Sequence, residues 1–153
     1  MLLAEALAER AQAQERLNSL HERLLTVVRV QEGDTPEEDP QELLRELDGV
    51  AGRIDELVQA INATNIATAF GEKMNLMEAL ALRDGLLRKR RIYHDLAQRA
   101  GTRSDRYSRN EIKFVSTIPV ADMRKRVDDL SKQYRELDTR IQQLNWNTEL
   151  KNG

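Results

Sequence analysis

"DPQELLRELDGVAGRIDELVQAIN", residues 39–62, decides how the rest of the chain reads. Leu43, Leu47, Val50, Ile54, Leu57 and Ile61 alternate four- and three-residue steps without a miss, so they form one apolar stripe on a helix. The stretch also marks its own start. Asp39 can accept from the free N–H groups of a first turn, Pro40 fits the first helical position, and Glu42 completes a capping-box pattern. The spacing predicts a helix over about 40–62. Gly49 and Gly52 cost helix propensity there, and they read as points where a neighbouring helix comes close.

Upstream, a helix is predicted over about 2–30. Leu3, Arg10, Leu17 and Leu24 recur every seven residues, with Ala6, Ala13, Leu20 and Val27 between them. "QEGDTPEEDP" ends it, because Gly33, Pro36 and Pro40 do not sit in a helix interior. Downstream, Ile66, Thr68 and Phe70 alternate before Gly71, which predicts a short strand or hairpin near 66–74. Asn75 then caps a helix over about 75–100. Its stripe combines Leu76, Leu80, Leu87 and His94 with Ala79, Leu86, Tyr93 and Ala97, and it is interrupted by Arg83 and Arg90. A last helix, about 119–146, carries Val120, Met123, Val127, Leu130, Tyr134, Leu137, Ile141 and Leu144 in a 3-4 seam that Trp146 closes.

The sum is a mainly α chain. Four long helices form a coiled-coil-like bundle in a single domain, residues 1–153, with a minor β element near 66–74 and 111–118. "EIKFVSTI", residues 111–118, alternates like a strand. The chain's two phenylalanines, Phe70 and Phe114, fall in the two β-like segments, which suggests one shared apolar cluster. In an up-down bundle those connectors lie at opposite ends. Their strands could meet only between subunits, or if the second connector ran back along the bundle.

Composition agrees. Of the 153 residues, 33% are charged, 40% hydrophobic and only 4% aromatic, the profile of long amphipathic helices. With no cysteine there are no disulfides or thiolate metal sites. No apolar run approaches the ~20 residues of a membrane span, and the opening "MLLAEALAERAQAQERL" is too acidic for a signal peptide. A cytoplasmic protein without membrane contact is expected. Charge is uneven: residues 1–60 hold 6 Lys/Arg against 14 Asp/Glu, and residues 83–113 hold 10 against 4. The blander explanation is that acidic helices pair with the basic middle, within one chain or between chains.

No phosphate-binding loop, dinucleotide fingerprint, zinc-protease motif or nucleophile elbow is present. His21 and His94, the only histidines, fall on different helices. His94 reads as a core or interface side chain, so no metal or cofactor is expected. The Arg88–Arg91 run wraps around its helix, with Tyr93 as the one nearby aromatic, and nucleic-acid binding is accordingly disfavoured. Arg83 and Arg90 would need partners if buried, and the acidic residues of the first two helices are the obvious ones.

"SDRYSRNEIKFVST", residues 104–117, is the densest mixed-charge stretch. Arg106 and Arg109 offer forked donors for carboxylate or phosphate. Tyr107 adds a hydroxyl, and Glu111 and Lys113 share one face of an extended chain. Pinning a long connector by ion pairs is the reading preferred for this cluster. The alternative is a pocket for an anionic small molecule, built with Arg83, Asp84 and His94.

"VQEGDTPEEDPQELL", "EALALRD", "DRYSRNEIKFVST" and "DDLSKQYRELDTRIQQLNW" together resemble the bacterial family labelled septicolysin-like, in order and over essentially the whole chain. The resemblance implies no particular reaction. It places the family pattern on Arg83 and Asp84, and on Asp105 to Arg109 and Glu111 to Lys113. The function expected is a non-enzymatic helical homo-oligomer that binds or assembles.

Overall fold

The computed structural model describes residues 1–102 and 112–151. It contains four helices: α1 (Leu3–Val27), α2 (Pro40–Ala67), α3 (Leu76–Gly101) and α4 (Val120–Asn145). Two short strands, β1 (Ala69–Phe70) and β2 (Met74–Asn75), pair antiparallel between α2 and α3. The chain divides into two compact units. One comprises Met1–Leu76 with Gln142–Gly153, the other Met77–Ile141.

The first unit is built on a hairpin of α1 and α2. Asp39 accepts from the Gln41 amide at 2.9 Å with Pro40 in the first turn, as its sequence predicts. The predicted seams are the buried ones. Leu20, Leu24, Val27 and Leu43 form one apolar cluster, with Leu47 and Val50 packed against it. Fully burying each such side chain contributes about 1.5–3 kcal/mol. Three ion pairs flank the hairpin: Arg16 with Glu46, Arg23 with Glu38, and Arg53 with Glu9. The acidic residues of these helices are thus paired in part by arginines of the same unit.

Where sequence placed the end of the second helix at Asn62, α2 continues to Ala67. Thr64, inside α2, and Thr68, its C-cap, turn their hydroxyls back onto the carbonyls of Ala60 and Thr64, at 2.7 Å each, so their polar side chains are satisfied locally. The chain then reverses through Gly71, whose φ of 69° is in the left-handed region that favours glycine. Phe70 stands opposite Met74 and is buried, and the Leu76 amide donates to Thr68 O at 2.8 Å.

Residues 148–151 run back to the start of the chain. The Leu3 amide donates to Thr148 O and the Leu150 amide to Met1 O, both at 2.8 Å. The Lys151 amide donates to the fully buried Thr64 hydroxyl at 2.9 Å. One threonine thereby holds the middle of the chain to its last described residues.

In the second unit α4 buries Leu130, Leu137 and Ile141 of its predicted seam, while α3 buries Ala79 and Ala97. Several expectations are corrected here. Residues 112–118 form no strand, and Phe114 is 85% exposed, so the shared phenylalanine cluster does not form. The sheet is a local hairpin, and the geometric case for strand exchange falls away. Gly49 and Gly52 are exposed, and a Cβ added at either would meet open space, so neither marks a close helix approach.

Candidate functional site

The polar groups on α3 that face α4 find their partners there, not on the acidic helices of the first unit. Arg83 donates from Nη1 to Asp138 Oδ1 at 2.8 Å, with its side chain only 23% exposed. Its Nε is buried and lacks a hydrogen bond among the described residues; Asp84 Oδ1 stands 3.6 Å away, a charge contact too long to be a hydrogen bond. Seven residues on, two turns along the helix, Arg90 Nε donates to Ser131 Oγ at 2.6 Å, and that hydroxyl donates to Val127 O at 2.8 Å. Arg126 of α4 lies over the Tyr93 ring, 4.5 Å from its centre. The two arginines that interrupt the apolar stripe of α3 therefore act as long struts to α4.

Near the C-terminal end of α3 a cleft of about 490 Å³ opens between His94, Gln98, Arg124 and Asp128, over a floor of Ala97 and Val127. Gly101 shapes it: a Cβ there would lie 3.2 Å from Arg124 Nη2, so the glycine lets Arg124 lie across the helix end. His94 is about half exposed, with Nδ1 3.6 Å from Asp95 Oδ1 and Nε2 3.5 Å from Gln98 Nε2. His94 is thus not a core side chain but a surface group on a cleft. Among the described residues Arg124 forms no ion pair. A second cleft, about 520 Å³, lies between Leu96, Arg99 and Ala100 of α3 and residues 114–118.

Of the sequence-derived candidates, Arg83 and Asp84 adjoin each other, and His94 sits three turns away on the cleft. Lys113 is exposed beside Phe114. Arg106, Tyr107, Arg109 and Glu111 lie outside the described residues. Sequence reasoning missed Arg124, Asp128 and Asp138. The heptad positions of α4 gave a signal for them, since Asp138 directly follows the seam residue Leu137, and Arg124 and Asp128 directly follow Met123 and Val127.

Clear electrostatic shifts occur in the first unit. Hydrogen bonding from Arg53 holds the Glu9 carboxyl below its usual range, and Arg23 does the same for Glu38, in each case against a smaller opposing effect of desolvation. Among the described residues no cluster of histidine and carboxylate side chains could hold a metal ion, and no helix is long and apolar enough to cross a membrane.

Comparison with known proteins finds likeness without an activity. Residues 10–150 match the model of DUF6847, described as a family of unknown function. A solved structure described as that of a functionally unknown conserved protein from Corynebacterium diphtheriae is 52% identical, covers 99% of each chain, and superimposes with a TM-score of 0.93. No curated protein matches the chain.

Proposed function

The chain belongs to the DUF6847 family, and from that premise we propose that it is a cytoplasmic, non-enzymatic assembly module that works as a homo-oligomer. The observation that carries this reading is where apolar surface is left uncovered. In the second unit Leu82, Ile92 and Leu96 of α3 are 49%, 55% and 45% exposed, and Ile112, Phe114 and Val115 are 79% exposed or more. Exposed apolar side chains of this size supply surface on which another molecule can bind. The first unit has its own apolar cluster of leucines and valines; α3 buries Leu76, Ala79 and Ala97, while Met77, Leu82, Ile92 and Leu96 are each 45% exposed or more. A septicolysin-like kinship belongs to the same proposal and rests on the motifs quoted above.

Light scattering on the full chain across a dilution series tests it. The reading expects a mass above that of the 17.6 kDa chain which falls on dilution. A single species of chain mass at every concentration would remove it.

A second reading is supported by the cleft at the end of α3. Arg124, with no ion-pair partner among the described residues, shares the cleft with Gln98 and His94, donors suited to a small carboxylate or phosphate, and with Asp128, which opposes an anion on its side of the cleft. Titration with inorganic phosphate and simple dicarboxylates, followed by amide chemical shifts, should perturb residues 94–101 and 124–128 in the native chain and leave Arg124→Gln unperturbed. Equal responses in both proteins would reject it.

A further inference from the structure

Two ends of the molecule leave apolar side chains in water, and the two carry opposite charge. The first is the turn between α1 and α2. Leu25, Val28 and Val30 are 65%, 61% and 44% exposed there, and Leu44 near the start of α2 is 39% exposed. Leu25 directly follows Leu24 and Leu44 directly follows Leu43, and Leu24 and Leu43 share the buried cluster. At 100° per residue in two antiparallel helices, both of these next residues fall on the same side of the hairpin. At the same turn Glu22, Glu32, Asp34, Glu37 and Glu42 are exposed and form no ion pair among the described residues. Arg29 and Arg45 are the opposing charges.

The second end lies in the other unit, where α3 stops and α4 begins. Gly101 stands beside Val120 and Arg124 there. Leu96, Ala100, Phe114, Val115 and Ile118 line the cleft of about 520 Å³, and Ile92 sits one turn before Leu96 on the same face of α3. Arg99, Lys113, Arg124 and Lys125 are exposed at this end and form no ion pair among the described residues. Asp122 and Asp128 are the opposing charges. The division extends to the whole units: residues 1–76 and 142–153 hold 8 Lys/Arg against 16 Asp/Glu, and residues 77–141 hold 16 against 10.

We propose that the acidic α1–α2 turn of one copy docks in the basic, apolar-lined cleft at the α3–α4 end of a second copy, and that this contact is made twice about a two-fold axis. This rests on the homo-oligomer reading and assigns its two surfaces. Leu25, Val28 and Val30 supply the apolar side chains that enter the cleft, while Glu32, Asp34 and Glu37 meet Arg99, Lys113 and Lys125. Charge and apolar surface together select the occupant. A polyanion such as nucleic acid would engage the basic end alone and leave the turn's leucine and valines in water. Pairing of like ends would set one acidic turn against another. Pairing of unlike ends brings opposite charges together and covers both apolar patches. A two-fold axis lets each copy offer one end and receive the other, residue i meeting j while j meets i. Exposed ion pairs contribute little each, so apolar burial holds the contact and charge chooses the partner.

A charge swap tests the pairing. Glu32→Lys, Asp34→Lys and Glu37→Lys together reverse the turn, so that both ends of that variant are basic. Arg99→Glu, Lys113→Glu and Lys125→Glu together reverse the cleft, so that both ends of that variant are acidic. Each variant alone should associate about a hundredfold more weakly than the native chain in sedimentation equilibrium, because like charges then face each other. An equimolar mixture of the two should recover a two-chain species. Phe114→Ser removes the largest apolar side chain lining the cleft without altering charge, and it should weaken native association about tenfold. The substituted residues are all exposed, and circular dichroism matching the native chain shows each variant folded.

A native oligomer whose mass neither charge reversal changes would overturn the assigned ends and leave the homo-oligomer reading intact. Dissociation of both variants without recovery on mixing would overturn the pairing of unlike ends. A native chain that stays at chain mass at every concentration would remove both readings.

Discussion

Replacing Thr64 with valine should detach the last residues of the chain from α2 while keeping shape and apolar packing. Thr64 is fully buried, and its hydroxyl does two things: it donates to Ala60 O at 2.7 Å and accepts the Lys151 amide at 2.9 Å. Valine matches the volume and removes both bonds. The Ala60 carbonyl loses only its extra partner, a minor cost within a helix. The Lys151 amide, part-buried, loses its acceptor. A net hydrogen bond is worth about 1 kcal/mol, and leaving a partly buried donor unpaired raises the cost to roughly 1–2 kcal/mol. With a urea slope of about 2 kcal/mol/M, the unfolding midpoint should fall by about 0.5–1 M. Hydrogen exchange supplies the specific readout: protection at Lys151 should drop about tenfold, and the Leu3 and Leu150 amides, which bond across the same junction, should follow. Thr64→Ser loses a buried methyl but keeps the acceptor, so it should destabilise without exposing Lys151. If Thr64→Val is as stable as the native chain and Lys151 stays protected, the hydroxyl is not what holds the terminus.

Two further outcomes follow from the first unit. Gly49→Ala and Gly52→Ala should each stabilise by about 0.5–1 kcal/mol in urea titrations, because both glycines sit inside α2 with open space where a Cβ would go; destabilisation at either would mean that the face is covered. Glu38, held below the usual 4.5 by Arg23, contributes stability above the unfolded carboxyl's pKa that is lost as pH falls through its depressed folded value. Between about pH 3 and 6 the melting temperature of Glu38→Gln should therefore fall less steeply than that of the native chain, and salt should narrow the difference.

Much of the helical architecture was legible because periodicity carries it. The seams of α1, α2 and α4 are the stripes the structure buries, except that Trp146, expected to close the last one, is 61% exposed, and the Asp39–Pro40 start of α2 is local chemistry that a sequence displays. What failed depended on what surrounds a residue. Gly49 and Gly52 look like close-approach points, yet a glycine facing solvent reads the same. Ile66 and Thr68 have strand-like spacing, but the helix continues through Ala67 and the strands begin only at Ala69. Residues 112–118 alternate like a strand, and alternation alone supplies no partner edge. The site was less legible than the fold. Arg83 and Arg90 were identified as needing partners, but net charge pointed to the acidic first helices, whereas Asp138 and Ser131 of α4 lie within reach.

The central claim is that this chain pairs with itself through apolar side chains left exposed in the second unit. Sedimentation equilibrium on the native protein and on Ile92→Glu tests it most directly, since Ile92 is 55% exposed and can accept a charge without disturbing either unit. The account predicts twice the 17.6 kDa chain mass for the native protein at micromolar concentration and above, and the chain mass for Ile92→Glu with unchanged helicity. The same mass for both proteins at every concentration, whether monomer or oligomer, would contradict it.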